Sequence, residues 1–374
     1  MALDPARPPA DPPALDHGTR LLLDEVELPP QSRVLVVDEP LLADQLSPDH
    51  QVSAFCDRGD LHACLPAGVA RVEPGMPADA SVALLRLPTS LDQWDEYVGW
   101  AWDSGVQQIA AVGREKDLVH RLNDVLGRWF GEVHASRGRN KHRVLHASLP
   151  HSQPRVPAEA RWPRRALRDG LTIVAHGGTF GTTRLDAGTR LLLAQLDEIL
   201  VDAADRSRPL RVLDVGSGNG TIAAVLMRAL PSCEVTAVDL SWAGAAATGE
   251  TLRANVAPGH PQPRVLWADG IEVLRESEPF DLIVSNPPFH QGVAKDSAFA
   301  RELLDEAPSH LAPGGAFWLV HNTHLPWLPL LRQRHPGAER LAQDRHFSVI
   351  RVPAPTTGAS SSPSTVRRMP RLGA

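Results

Sequence analysis

The sequence is poor in cysteine, lysine and tyrosine, and it has no long uninterrupted apolar run. Its three cysteines, Cys56, Cys64 and Cys233, do not have the spacing of a metal site, so we expect isolated thiols and no bound metal. A run of about 18 apolar residues, the length of a membrane-spanning helix, is absent. The N-terminal residues are rich in proline and acidic and do not follow the pattern of a signal peptide. We therefore expect a cytoplasmic protein with no membrane partner.

Charge is unevenly distributed along the 374 residues. The net charge of −6 does not by itself indicate a nucleic-acid-binding protein. Within residues 137–168, however, nine cations face a single acid, Glu159; the cations are Arg137, Arg139, Lys141, Arg143, Arg155, Arg161, Arg164, Arg165 and Arg168. A local basic stretch can hold a phosphate backbone even on an acidic protein. The alternative interpretation is a solvated linker in an arginine-rich chain.

A short repeat divides the chain into two units. The segment Leu15–Leu23 recurs as Leu185–Leu193 with one difference in nine positions, and an apolar, strand-like segment follows each copy. We therefore predict two α/β domains from a duplication, at residues 15–150 and 170–353. A basic linker at 151–169 joins them. A disordered N-terminus at 1–14 and a disordered tail at 354–374, rich in Ser, Thr, Pro and Arg, complete the chain.

The second unit alternates short apolar segments with helical ones, a pattern typical of a largely parallel sheet covered by helices. Strands are predicted at about 211–215, 234–239, 264–268, 280–285, 316–321 and 346–352. Helices are predicted at about 188–202, 220–230, 242–256, 297–312 and 326–334.

A glycine-rich loop follows the first strand of this unit. Its glycines allow a tight turn and a close approach of the backbone to a ligand, but a glycine triplet alone is a weak signal. Asp239 ends the next strand, where a carboxylate can accept hydrogen bonds from ribose hydroxyls. Asp269 ends the strand after that, where it can meet the adenine amine of a nucleoside. The predicted cofactor-binding residues are Asp214, Gly216, Ser217, Gly218, Asn219, Gly220, Asp239, Leu240, Asp269, Gly270 and Asn286.

The segment Ser285–His290, which reads Ser-Asn-Pro-Pro-Phe-His, follows the fourth predicted strand and carries the candidate catalytic residues Asn286, Pro287, Pro288 and Phe289. Two adjacent prolines fix the backbone and remove two amide donors, so their carbonyls are held without strand partners. The Asn286 side-chain oxygen and the Pro287 carbonyl can accept the two hydrogens of an exocyclic base amine. That contact aims the nitrogen lone pair at a sulfonium methyl group. The face of Phe289 can stack on the target base.

These motifs, with Leu185–Leu193 and the Gly314–Gly315 pair, resemble those of bacterial rRNA guanine-N2-methyltransferases. The resemblance is strong from residue 170 to 352 and holds only in outline before that. It implies tandem Rossmann-like class I methyltransferase domains, with a degenerate N-terminal copy and a C-terminal copy that binds S-adenosyl-L-methionine. It also implies methylation of a guanine N2 in ribosomal RNA, so the expected partner is rRNA or an assembling ribosomal subunit.

The N-terminal copy departs from the pattern where chemistry would occur. Residues 37–42 contain no glycine, and residues 86–89 lack Asn-Pro-Pro. We therefore expect this copy neither to bind cofactor nor to catalyse, and to bind and position RNA instead. Because it keeps the repeat around Leu15–Leu23, the matching Asp186 and Thr189 are interpreted as helix-capping residues first and cofactor contacts second.

Three alternative functions remain open at this level. Methylation of a protein glutamine or of adenine N6 uses the same pair of acceptors, and an RNA-binding module on an inactive methyltransferase fold fits the N-terminal half. Arg184, Arg190 and Lys295 could contact RNA phosphates. His321 and His324 lack a third ligand, so no metal site is predicted there.

Overall fold

The computed structural model describes residues 15–203, 208–287 and 301–354. The N-terminal segment 1–14 lies outside the described residues. So does the predicted tail, apart from Ala354. Two α/β domains follow one another along the chain, each built on a mixed sheet of seven strands, which confirms the predicted tandem fold.

The first domain has the sheet order β3-β2-β1-β4-β5-β7-β6, in which β7 runs antiparallel to both of its neighbours and the other neighbouring strands pair in parallel. Apolar side chains cover both faces of this sheet. Its elements are α1 (His17–Asp24), β1 (Arg33–Val37), α2 (Pro40–Leu46), β2 (Gln51–Phe55), α3 (Gly59–Ala63), β3 (Ala70–Arg71), β4 (Val82–Arg86), α4 (Leu91–Asp103), β5 (Gln108–Arg114), α5 (His120–Gly127), β6 (Phe130–Ala135) and β7 (His142–Pro150).

A two-stranded antiparallel hairpin, β8 (Arg164–Arg168) and β9 (Leu171–Ala175), connects the two domains. The predicted linker at 151–169 therefore ends in a strand. Apolar residues of β9, such as Ile173 and Val174, are fully or almost fully buried, so the hairpin is part of the packed structure.

The second domain repeats the topology of the first, with the order β12-β11-β10-β13-β14-β16-β15. Its core likewise lies on both faces of the sheet. Its elements are α6 (Ala187–Leu193), α7 (Leu196–Ala203), β10 (Arg211–Val215), α8 (Thr221–Ala229), β11 (Glu234–Asp239), α9 (Trp242–Asn255), β12 (Arg264–Trp267), β13 (Phe280–Ser285), β14 (Leu311–Asn322), α10 (Trp327–Arg334), β15 (Glu339–Gln343) and β16 (Phe347–Pro353).

Three features of the second domain differ from the sequence prediction. The helix predicted at 188–202 is two helices, separated at residues 194–195. The helix predicted at 297–312 is wrong at its C-terminal end: residues 301–306 are helical, a 3₁₀ turn follows at Ala307–His310, and β14 begins at Leu311. Pro308 lacks the amide that would continue the helix. The edge strand β15 was not predicted, because its mostly exposed side chains give it no clear apolar pattern.

The start of α9 is held by the first domain. The Asp57 carboxylate accepts hydrogen bonds from the Ala243 amide at 3.0 Å and the Ser241 hydroxyl at 3.1 Å. The amide of Trp242 donates to the Asp57 carbonyl at 2.7 Å, and the Gly59 amide donates to the Leu240 carbonyl at 2.9 Å. The Trp242 side chain also packs into the apolar core of the first domain. These contacts set the loop after β11 directly against the loop after β2.

Candidate active site

A cavity of about 1290 Å³, called here the main cavity, is lined by the residues that follow β10, β11, β12 and β13. Parallel strands of an α/β sheet present their carboxyl ends along one edge, which is where such folds bind ligands. Both domains line this cavity: Gly216, Asp239 and Asn286 come from the second domain, whereas Arg58, Ser90 and Asp92 come from the first.

The glycine loop between β10 and α8 forms one wall of the main cavity. Gly216, Gly218 and Gly220 have φ angles of 70°, 56° and 72°, in the left-handed region that favours glycine. A Cβ at Gly218 would meet no atom within 4 Å, so the backbone there borders open space. A Cβ at Gly220 would lie 2.9 Å from the Cα of Thr248 on α9. The loop therefore needs glycine for its conformation and for its close packing.

Asp239, at the end of β11, contacts the glycine loop directly and lines the main cavity. Its carboxylate accepts hydrogen bonds from the Gly218 amide at 2.8 Å and the Ser241 amide at 2.9 Å. Burial raises the pKa of Asp239 to about 6, although these two amide donors act in the opposite direction. The carboxylate is thus fixed in position and has lone pairs left to accept hydroxyl donors. Leu240, Asp269 and Gly270, also predicted from the sequence, line the same cavity.

Four other predicted cofactor-binding residues, one near the end of β10 and three in the loop itself, do not line the main cavity. Asp214 is fully buried, and its carboxylate accepts a hydrogen bond from the Ala223 amide of α8 at 3.2 Å. The Ser217 hydroxyl accepts from Thr248 at 2.9 Å. The Asn219 side chain donates to the Thr182 carbonyl at 2.8 Å, and Gly220 caps α8. The structure gives these residues a role in shaping the loop, where the sequence pattern suggested direct contact.

The side-chain amide of Asn286 is held in one orientation by two residues of the repeated segment. Its nitrogen donates to the Asp186 carboxylate and to the Thr189 hydroxyl, both at 2.9 Å. Because a carboxylate can only accept hydrogen bonds, the amide nitrogen must face Asp186. Both amide hydrogens are then used, and the Asn286 oxygen is the atom left for a ligand in the main cavity.

The Asn-Pro pair is also fixed against the glycine loop. The Ser285 hydroxyl donates to the Val215 carbonyl of the neighbouring strand at 2.7 Å. Pro287 is buried, and its Cα lies 3.9 Å from the position that a Cβ at Gly216 would take. Of the four candidate catalytic residues, Pro288 and Phe289 lie outside the described residues.

The first domain has an arginine at the position of Asn286. Val34 pairs with Val82 in one sheet and Val212 with Leu282 in the other, so Arg86 and Asn286 each lie four residues beyond the matching pair. The Arg86 guanidinium donates to Asp16 at 2.8 Å and to Thr19 at 2.9 Å, and it forms an ion pair with Glu39. A cation thus stands where the second domain presents an acceptor, which accounts physically for the degeneracy of this copy.

A buried ionic cluster anchors the segment that leads to Asp186. His176 contacts Glu96 of α4 at 2.5 Å and Glu250 of α9 at 3.6 Å. Burial disfavours the charged imidazole, but hydrogen bonds to Glu250 and Glu96 outweigh it and raise the pKa of His176 to about 9. The ring is therefore charged at neutral pH. The residues that follow, 178–186, form a further wall of the main cavity.

The basic stretch is more strongly neutralised than its sequence suggests. Five of its nine cations form ion pairs: Arg139 with Asp24, Arg143 with Glu115, Arg161 with Asp103, Arg164 with Asp92 and Asp95, and Arg165 with Glu250. The other four, Arg137, Lys141, Arg155 and Arg168, form no ion pair with any residue that the structure describes. Over the described ranges there is no helix long and apolar enough to cross a membrane, and no group of three metal-ligating side chains.

The left-handed glycine loop and the oriented Asp239 carboxylate fit the nucleoside portion of S-adenosyl-L-methionine, and Asn286 presents an acceptor into the same cavity. This combination on a seven-stranded mixed sheet defines a class I, S-adenosylmethionine-dependent methyltransferase. The sequence model of the family described as Methyltransferase small domain matches residues 170–351.

Comparison with known proteins identifies the family. The chain is 30% identical over 360 residues to ribosomal RNA large subunit methyltransferase G of Pseudomonas aeruginosa. This alignment covers 91% of this chain and 93% of the relative. It is 33% identical over 285 residues to the protein of the same name from Alcanivorax borkumensis, covering 74% and 68% of the two chains. The chain belongs to the ribosomal RNA large subunit methyltransferase G family.

Two further proteins are similar to this chain. Ribosomal RNA small subunit methyltransferase C of Chromohalobacter salexigens is 41% identical over 194 residues, covering 52% of this chain and 54% of that protein. The solved structure of a T. thermophilus 16S rRNA N2 methyltransferase, in complex with AdoMet and guanosine, superposes with a TM-score of 0.71. That match covers 91% of this chain and 92% of the other at 24% identity, and it shows that the two proteins share the tandem fold.

Proposed function

We propose that this protein transfers a methyl group from S-adenosyl-L-methionine to the exocyclic N2 amine of a guanine in ribosomal RNA. The names of its relatives, which are ribosomal RNA methyltransferases, support the substrate class. The observation that carries the proposal is the orientation of Asn286. Its amide nitrogen is bound by Asp186 and Thr189, so its oxygen is the atom available to a donor in the main cavity.

The residues that would hold the cofactor are the backbone of Gly216 and Gly218, the Asp239 carboxylate, Leu240 and the Asp269–Gly270 pair, all of which line the main cavity. When bound, the cofactor supplies a sulfonium-activated methyl group. The protein contributes a carboxylate for hydroxyl donors and a loop with no side chain in the way at Gly218.

The exocyclic amine of guanine is a poor nucleophile because its lone pair is delocalised into the ring. The Asn286 oxygen and the Pro287 carbonyl would accept its two hydrogens, which favours a tetrahedral nitrogen with a directed lone pair. Positioned acceptors of this kind stabilise charge that develops during the reaction without having to reorganise. No strong base is needed, because the amine proton can leave after the transfer. Stacking of the base on Phe289 stays a prediction from the sequence.

The substrate is proposed to be rRNA or an assembling ribosomal subunit, in the cytoplasm. An amine within folded RNA is reached by extruding the base, which costs a few kcal/mol and is offset by contacts elsewhere. The first domain and the segment 151–169 are proposed to supply RNA contacts. Arg58 and Ser90 from the first domain line the main cavity, which supports this division of roles.

Two substitutions, each expected to impair a different step, test the roles assigned to Asn286 and Asp239. Asn286→Ala is expected to lower kcat for methyl transfer to rRNA by about 100-fold or more, while the cofactor dissociation constant changes by only a few-fold. Asp239→Ala is the matched variant on the cofactor side. It removes hydrogen bonds to a charged group, so cofactor binding is expected to weaken by about 1.5–3 kcal/mol. Steady-state kinetics and calorimetry separate the two, and substantial turnover by Asn286→Ala would refute the role of Asn286.

A further inference from the structure

Four arginines line the main cavity, and they differ in their ionic partners. Arg58 forms an ion pair with Asp60 at 2.9 Å. Arg164 contacts Asp95 at 3.3 Å and Asp92 at 3.7 Å, and its guanidinium lies 3.9 Å from the centre of the Trp162 ring. Arg168 and Arg184 are exposed and form no ion pair with any side chain in the described parts of the chain. Two of the four guanidinium groups are thus available to a ligand.

The strand β8 explains how Arg168 reaches the main cavity. Side chains alternate between the two faces of a strand, so Arg164 and Arg168 share one face and Arg165 lies on the other. This agrees with the contacts: Arg164 and Arg168 line the main cavity, whereas Arg165 binds Glu250 of α9 at 2.7 Å. The basic stretch recognised in the sequence therefore places the unpaired Arg168 at the main cavity, whereas Arg165 of the same strand points away from it.

Arg184 reaches the same cavity from a different segment. It lies two residues before Asp186, the residue that orients Asn286, and its carbonyl accepts a hydrogen bond from Asn219 of the glycine loop at 3.4 Å. Leu185, the residue after Arg184, lines a second cavity of about 310 Å³ together with Arg168. The segment that carries Arg184 therefore meets β8 at the wall of this second cavity. Two unpaired arginines thus border the site from separate elements.

Arginine presents a planar fork of donors that matches the geometry of a phosphate group. A nucleotide whose base lies at Asn286 carries a phosphate on each side of its sugar. We propose that Arg168 and Arg184 form a phosphate-binding subsite that holds the RNA backbone flanking the target nucleotide. This inference rests on the proposed function for its choice of RNA as the ligand.

The probe for the test is a short, fluorescently labelled single-stranded RNA with one central guanine, bound to the full chain in a salt titration. Arg168→Ala and Arg184→Ala are each expected to weaken RNA binding about tenfold and to reduce the slope of log K against log salt by about 0.7. Replacing the central guanine by adenine should leave these losses unchanged, because a phosphate contact carries no sequence information.

Two control variants remove the same charge outside the main cavity. Arg264 is the first residue of β12 and Arg340 the second residue of β15; both are exposed, and neither forms an ion pair with a residue that the structure describes, so Arg264→Ala and Arg340→Ala match the two test variants. Both are expected to leave the salt slope within error of the unsubstituted chain. The cofactor dissociation constant should be unchanged in all four variants, which shows that the fold and the cofactor site are intact.

The subsite is overturned if Arg168→Ala and Arg184→Ala bind the RNA with the same affinity and salt slope as the controls. It is equally overturned if all four variants weaken binding alike, since the effect is then one of net charge. Failure of the proposed function looks different: the unsubstituted chain would transfer no methyl group to rRNA, whatever the arginine variants do in the binding assay.

Discussion

The carboxylate of Asp186 accepts hydrogen bonds both from the backbone of α6 and from the side chain of Asn286. It caps α6 by accepting a hydrogen bond from the Thr189 amide at 3.1 Å, and it accepts a second one from the side-chain nitrogen of Asn286 at 2.9 Å. Asp16 caps α1 in the same way, accepting from the Thr19 amide at 2.8 Å, but its partner across the sheet edge is Arg86. The repeated segment thus kept its structural role in both domains and an orienting role in one.

This difference predicts unequal effects of two equivalent substitutions. Asp186→Ala and Asp16→Ala should each cost about 1 kcal/mol of stability through the lost helix cap. Only Asp186→Ala should also lower kcat, because the remaining partner, the Thr189 hydroxyl, can donate as well as accept and no longer fixes which way the Asn286 amide points. Thermal unfolding and steady-state kinetics on rRNA measure the two effects. Equal kcat values for the two variants would show that Asp186 does not orient Asn286.

Cofactor binding should depend on pH through the Asp239 carboxyl group. Burial raises the pKa of Asp239 to about 6, above its ordinary value of 3.8. The ionised carboxylate is the better acceptor for hydroxyl donors, so cofactor affinity should fall as the pH drops through about 6. Calorimetry across this range measures the change. Asp239→Asn should bind more weakly and without this pH dependence; a dependence that persists would assign the titration to another buried carboxyl group, such as Asp214.

The sequence was sufficient to find several residues that line the main cavity, but not the contacts that position them. Gly216, Gly218, Asp239 and Asn286 are recognisable because each stands at a fixed distance from an apolar strand, and all line the main cavity. The bond between Asn286 and Asp186 joins residues 100 positions apart, so it emerges only from the fold. Similarly, no sequence pattern distinguishes a carboxylate that faces the cavity from the buried Asp214.

At the scale of elements, α9 connects the cofactor site to the rest of the molecule. Its first turn lies against Asp239 on one side and against Asp57 of the first domain on the other. A Cβ at Gly244 would lie 2.5 Å from Cγ of Asp239, so the helix can approach the carboxylate only because position 244 has no side chain. The position of α9 therefore determines the position of Asp239.

Two glycines of α9 provide a matched test of this packing. Gly244→Ala should displace either the helix or Asp239 and weaken cofactor binding. Gly249→Ala meets only the flexible end of Arg253, at 3.3 Å. It should raise stability by up to about 1 kcal/mol, as alanine replaces glycine in a helix, and leave cofactor affinity unchanged. Calorimetry with thermal unfolding distinguishes them; normal cofactor affinity in Gly244→Ala would contradict the packing described.

Elements with a clear apolar period were predictable, and those without one were not. The strands at 211–215, 234–239 and 280–285 lie where the sequence indicated. Neither strand of the hairpin was predicted, because β8 is rich in arginine and follows a proline-rich segment, whereas β9 is apolar but only five residues long and follows the predicted linker. The burial of β9 depends on α9, a partner that is distant in the sequence.

Across the whole molecule, the two domains have sheets of the same strand order, and residues of both domains line the main cavity. The first domain lost its glycine loop and acquired Arg86 in place of the acceptor asparagine, yet it lines the main cavity and caps α9. It thus became part of the site built on the second domain. The same arrangement leaves Arg168 and Arg184 at the cavity, where the RNA backbone is proposed to bind.

The proposed reaction of this protein is methyl transfer to the N2 amine of a guanine in rRNA. The most direct measurement is to incubate the full chain with unmodified rRNA and isotope-labelled S-adenosyl-L-methionine, digest the RNA to nucleosides and identify the labelled product by mass spectrometry. We expect label in N2-methylguanosine, and none when Asn286→Ala replaces the unsubstituted chain. Label in N6-methyladenosine, label in protein glutamine, or no transfer to rRNA at all would contradict it.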